Sequence, residues 1–149
     1  MMRCYLWFSV FLAGILFSVP SYAHHLAVIV AKDANVDSVS SAELRKMVKS
    51  EAKKWPNGND VVIVLTKDSA ASMEVLEHLC HMSGPALKDF IATHPNSILV
   101  VDSDDALFKL VESRRGALGL VDFHAIHDKS VQVLKVDGKL PLDTGYLPH

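Results

Sequence analysis

Apolar residues in this chain come in short continuous runs separated by segments with helical spacing. Leu26-Ala27-Val28-Ile29-Val30-Ala31 is rich in β-branched side chains and has no polar alternation, the pattern of a strand covered on both faces. Val61–Leu65, Ser97–Val101, Ala117–Val121 and Val131–Val136 repeat that pattern, so five strands are predicted. Ser40-Ser41-Ala42-Glu43 reads as a capping box, with Leu44, Met47 and Val48 on one stripe of the helix that follows. A second helix over Ser69–Met82 would turn Val75, Leu76, Leu79 and Cys80 inward. Ser83-Gly84-Pro85 restarts a third carrying Leu87, Phe90 and Ile91. Asp102–Asp105 supplies acidic groups to the N-terminus of a fourth, which Arg114-Arg115-Gly116 closes with cations and a left-handed glycine. Strands alternating with helices need crossover connections, so the fold class is α/β, a mainly parallel five-stranded sheet flanked by helices. Lys53–Asp60 reads as a solvated loop, and no repeat or linker divides the chain.

Composition changes this picture at one end. The 149 residues are 50% apolar with a formal charge of −2, but residues 1–23 hold 17 of the apolar side chains. Arg3, the apolar stretch Tyr5–Val19 and the small residues of Ser21-Tyr22-Ala23 together have the form of a cleavable export signal. The stretch falls short of the ~20 residues that span a bilayer, so no anchor is expected after cleavage. The expectation is residues 1–23 as signal and 24–149 as one exported, periplasmic domain of charge −3, Arg3 having left. Cys4 departs with the signal, which leaves Cys80 without an intramolecular partner and reads as a buried, inert thiol. The acidic balance argues against nucleic acid as a ligand.

Several segments, taken in order, resemble a known family. They are the opening strand, Val39-Ser40-Ser41-Ala42-Glu43-Leu44-Arg45, Lys54-Trp55-Pro56-Asn57-Gly58, the strand running into Thr66-Lys67-Asp68-Ser69, Arg115-Gly116-Ala117-Leu118-Gly119-Leu120-Val121 and Val133–Gly138. This series is similar to the phosphate-binding-protein-like members of the type 2 periplasmic solute-binding proteins, in a short single-domain form. The resemblance implies one lobe of a protein that usually holds its anion between two, with no enzymatic activity and no cofactor. The chain departs from the family pattern at Met47-Val48-Lys49-Ser50, at Leu120 in place of a Tyr, and at Lys67–Ser72, where an Arg and a Ser-Gly-Thr pattern are reduced.

The chemistry that could be placed is an oxyanion site at the turn from Thr66 into the second helix. Helix N-terminal N–H groups, the positive dipole end, the hydroxyls of Ser69 and Ser72 and the charge of Lys67 suit a tetrahedral anion. The competing reading is that Asp68 or Ser69 is only an N-cap. Asp68 would repel a dianion unless it accepts a hydrogen bond from a protonated ligand, as the resemblance implies. Arg115 is a further ligand candidate, against an ordinary role as a helix-end cation. Gly116 and Gly119 read as backbone necessities rather than a phosphate cradle, and no nucleotide motif is present.

All eight histidines follow the signal. His78 and His81 have i, i+3 spacing, His124 and His127 repeat it, and His24-His25 would adjoin a free α-amino group after cleavage. Zinc or copper could use such groups, but separate pairs make no site unless the fold unites them, so no metal is assigned. No nucleophile elbow or metalloprotease motif names a reaction. The readings left standing are an exported solute-binding-like domain, an interaction module that has lost the solute site and docks on an envelope or membrane protein, and a histidine-based metal binder. If the second holds, Trp55, Phe123 and Tyr146 are the aromatics expected at a partner surface.

Overall fold

The structure is a computed structural model that describes residues 25–127 and 130–148. The expected signal, with Cys4 and His24, lies outside the described residues. The strands are β1 (Leu26–Ala31), β2 (Ser38–Val39), β3 (Val62–Thr66), β4 (Ile98–Val101), β5 (Ala117–Asp122), β6 (Val131–Val133) and β7 (Lys135–Val136). The helices are α1 (Ser41–Val48), α2 (Ala70–Cys80), α3 (Gly84–Thr93) and α4 (Asp104–Ser113). Each of the five expected runs supplies a strand of one sheet in the order β4-β3-β5-β1-β6, and β2 pairs with β7 in a small parallel ribbon.

Four of the five strands point the same way. β3 is parallel to β4 and to β5, while β1 runs antiparallel to both β5 and β6, with Val28 opposite Leu120 and Val30 opposite Gln132. The reversal of β1 was not legible in its apolar run, because full burial on both faces looks alike in either direction. The last run is also not one strand. At Leu134 the chain leaves the sheet, its amide still bonded to the Val28 carbonyl at 2.8 Å, and Lys135 turns to the carbonyl of Asp37 to begin β7.

Successive side chains of the strands feed two cores. Val28, Val30, Ile63, Leu65, Leu118 and Leu120 pack with Leu44, Met47, Val48, Val75, Leu76, Leu79, Cys80 and Leu87 from the first three helices. Ala27, Ile29, Val64 and Val121 face the other way, onto Leu107, Phe108 and Val111 of α4. The result is a three-layer arrangement, as the period-2 geometry of strands between helical layers requires.

The helix starts follow the sequence signals. Ser40 and Glu43 form the reciprocal capping box, and Ser69, Ser83 and Ser103 cap α2, α3 and α4 through their hydroxyls. The ends differ from expectation in two places. α2 stops at Cys80 because His81 takes a left-handed conformation, φ 54°, leaving His78 inside the helix and His81 outside it. α4 ends at an extended Arg114, and Gly116 is needed for space instead of a left-handed turn, since a Cβ there would strike the Asp60 carbonyl.

Two of the aromatics expected at a partner surface belong to the core. Trp55 is 4% exposed and donates its Nε1–H to the Gly116 carbonyl at 2.9 Å, pinning the Lys53–Asp60 loop to the start of β5. Tyr146 is equally buried, and Phe123 packs partly against the α4 core. Cys80 is a buried free thiol whose pKa burial pushes up, as an inert cysteine requires.

Candidate functional site

The candidate site begins where β3 ends. Lys67 extends the pairing with β4 by one bond, its amide donating to the Val101 carbonyl at 2.8 Å. Thr66 Oγ1 donates to Asp104 Oδ1 at 2.7 Å, which ties the end of β3 to the first turn of α4. Asp68 then adopts a left-handed conformation, φ 59°, which a short polar side chain tolerates. That single residue turns the chain sharply into α2, whose first N–H groups have no acceptor within the helix.

Ser69 is the N-cap. Its Oγ accepts the Ser72 amide at 3.3 Å and donates to Ser72 Oγ at 3.0 Å. The capping reading of Ser69 therefore holds, and its hydroxyl also lines the groove described below. Ser72 is 2% exposed, engaged with Ser69 and absent from the groove's walls. Lys67 and Asp68 are exposed.

Arg115 is not part of this turn. It precedes β5, and β3 is parallel to β5 with Val62 opposite Ala117, so Arg115 lies at the opposite edge of the sheet from Thr66. Strand rise alone separates those edges by roughly 13 Å. There Arg115 Nε pairs with Asp33 Oδ2 at 3.0 Å, both side chains being largely exposed. Adjacent numbering to Gly116-Ala117 suggested a ligand edge, but the parallel register places it elsewhere.

The turn opens into a groove of about 640 Å³. Lys67, Asp68, Ser69 and Ala70 form one end, and Met73, Glu74 and Glu77 of α2 face Pro85, Lys88 and Ile91 of α3 across it. Val100 of the edge strand β4, 49% exposed, closes the floor. The helix N-terminus and Lys67 make the turn end of this groove suited to a small anion, while the carboxylates of Glu74 and Glu77 lie further along α2. The contribution of α3 and Val100 was missed from sequence because it exists only once α2 and α3 pack together. The exposed Lys88 beside Pro85 was its only linear trace.

Histidine placement is mixed. His78 lies in the last turn of α2 and His81 is its left-handed C-cap, and among the described residues no three His, Cys, Asp or Glu side chains converge to hold a metal ion. Nor is any described helix long and apolar enough to cross a membrane.

No protein-family model matches the sequence, and no curated protein matches it. Solved structures do. An ABC-type phosphate transport receptor from Vibrio cholerae aligns with a TM-score of 0.61 at 21% identity, over 78% of this chain and 47% of its own. A phosphate-binding protein from Stenotrophomonas maltophilia aligns with a TM-score of 0.62 at 17% identity, over 78% of this chain and 40% of its own. A Clostridium perfringens structure with bound phosphate, described as a phosphate ABC transporter substrate-binding protein, gives 0.60 at 21% identity, covering 76% and 45%. The chain spans less than half the length of each of these proteins. Its fold is that of a phosphate-binding-protein-like periplasmic binding domain.

Proposed function

We propose that this chain is an exported, non-enzymatic solute-binding-like domain that takes a small tetrahedral oxyanion, phosphate by preference, at the Lys67–Ala70 turn. The observation that carries the reading is the opening of the α2 N-terminus and Lys67 into one end of the groove. First-turn N–H groups and a neighbouring ammonium meet an anion there without rearrangement of the backbone. The naming of the structural neighbours as phosphate-binding proteins supports the choice of anion. The domain supplies one side of such a site, and the open groove leaves the other side to solvent or to a second chain.

Calorimetric titration of the exported protein with phosphate and with sulfate tests this. A saturable heat that is lost in Lys67→Ala, with the circular dichroism spectrum unchanged, is the expected result. No heat at millimolar anion overturns it.

A second reading is favoured by the walls of the same groove. Met73, Pro85, Ile91 and the exposed Val100 give it an apolar floor that an inorganic anion does not need. In that reading the domain docks on an envelope protein through this face. Val100→Lys then abolishes co-purification of the partner while leaving any anion response intact.

A further inference from the structure

β4 is an edge of the five-stranded sheet and is paired there with β3 alone. The Ile63 amide donates to the Ser97 carbonyl at 2.8 Å and the Lys67 amide to the Val101 carbonyl at 2.8 Å, which brackets the β3–β4 ladder at both ends. In a parallel ladder, alternate residues turn both backbone groups toward the same neighbour. With Ile63 opposite Ile98 and Thr66 opposite Val101, Leu99 and Val101 therefore face β3, and Ile98 and Val100 face outward. The outward amide of Ile98 is taken by the His94 carbonyl at 2.9 Å. What the edge still offers is the Ile98 carbonyl and both backbone groups of Val100, whose side chain is 49% exposed on the groove side. The edge carries none of the usual defences, since Ser97–Val101 holds no charge and no Pro and its register against β3 is unbroken.

This pattern of groups is complementary to itself. In an antiparallel pairing of two copies of β4 centred on Val100, each Val100 gives its N–H to the other and takes one in return, the closely spaced bond pair of an antiparallel ladder. The Ile98 carbonyl then lies opposite Asp102 of the second copy, beyond the committed Ile98 amide. A residue that meets itself across the axis is the mark of an isologous two-fold contact.

The charges suit the same rotation. The exposed Asp102 side chains of the two copies fall at opposite ends of the joined strands, about 13 Å apart along them. Beside β4, Lys67 marks one end of the groove, and Glu77 lies roughly 10 Å further along α2 from Ala70. Lys88 of α3 faces the glutamates within its own groove. The two-fold turns the Lys67 end of one groove toward the Glu74–Glu77 end of the other, so unlike charges approach and like charges are kept apart.

We propose that the domain self-associates as a two-fold dimer through β4, joining two five-stranded sheets into one of ten strands. The contact is short, which sets it at the low end of specific interfaces and makes the dimer concentration-dependent. It does not rest on anion binding at the Lys67 turn, and it competes with the envelope partner of the second reading for the same face.

Sedimentation equilibrium of the exported protein from micromolar to millimolar concentration is expected to show monomer passing to dimer. Amide exchange, read residue by residue, is expected to show Val100 gaining protection as concentration rises. Val100→Pro removes the outward donor at a position where an edge strand tolerates proline. It is expected to weaken association by roughly tenfold or more, because two hydrogen bonds are lost across the axis, with the circular dichroism spectrum unchanged. Leu142→Lys, at another exposed apolar position, is expected to leave association unaltered. A protein that stays monomeric over the whole range overturns the proposal. So does a dimer whose Val100 amide exchanges as fast as in the monomer, a measurement on unmutated protein that stands whether or not Val100→Pro folds. Unchanged association in folded Val100→Pro also overturns it, and a Val100 amide protected only by an extended segment of a different protein overturns the second copy as the occupant.

Discussion

The phenol of Tyr146 donates to the carbonyl of Leu134 at 2.6 Å, and the same oxygen accepts the Val28 amide at 3.1 Å. One side chain from the C-terminal tail thereby satisfies two backbone groups at the point where the chain passes from β6 to β7. Tyr146→Phe keeps the ring and removes the oxygen, leaving a buried N–H and a buried C=O without that partner. Unfolding in urea is expected to show a loss of about 1–3 kcal/mol with an unchanged m-value.

Burial pushes the Tyr146 pKa up to about 12 from its ordinary value near 10, with the Val28 hydrogen bond opposing the rise. The folded state holds this proton more tightly than the unfolded chain does. The associated stability is therefore fully present below about pH 10 and falls as the pH rises toward 12. Alkaline denaturation of wild type measured beside Tyr146→Phe isolates the contribution, because the variant lacks this component of the slope.

Gly119 sits in β5 with no room for a methyl group. A Cβ there would come 2.8 Å from Leu107 Cδ2 and 3.1 Å from both Ile29 Cγ1 and Val111 Cγ2. Gly119→Ala is expected to cost about 1–3 kcal/mol through overpacking against α4. Leu107→Ala should cost less in that background than in wild type, a coupling that a double-mutant cycle reads directly.

At the candidate anion turn, Ser69 has a structural role that can be separated from a ligand role. Ser69→Ala removes the α2 cap and is expected to lower stability by about 1 kcal/mol. Ser69→Asp restores a cap acceptor but brings a negative charge to the turn. Restored melting temperature with weakened phosphate binding is the expected pair of outcomes, from thermal unfolding and calorimetry. Arg115→Ala, at the far edge of the sheet, should leave anion binding unchanged and stability within about 1 kcal/mol of wild type.

Cys80 is expected to resist a thiol-reactive dye in the folded protein at pH 8 and to react at once in denaturant. Its buried position and raised pKa both disfavour the thiolate.

The strand runs and helix starts are legible in the sequence because each has a local cause: β-branched apolar runs for the strands, Ser40, Ser69 and Ser83 at three helix starts, and the acidic group Asp102–Asp105 at the fourth. Direction was not local. β1 runs antiparallel to its neighbours because of where its partners come from, and nothing between Leu26 and Ala31 encodes that. Tertiary partners also decided the fates of Trp55 and Tyr146, whose hydrogen bonds are to Gly116, Leu134 and Val28, far off in the chain. The candidate site divided in the same way. The Lys67–Ser69 turn is a local object, whereas the separation of Arg115 from it follows only from the parallel register of β3 and β5.

The reversed position of β1 constrains the order in which this chain can fold. Its neighbours β5 and β6 lie between Ala117 and Val133, so the first strand to be synthesised gains its pairing partners from the last third of the chain. A nascent or truncated chain ending before Ala117 can join β3 to β4 but has nothing to hold β1 in the sheet. Non-local closure of this kind slows folding. The chain therefore commits to its native sheet only after nearly all of it is available at once.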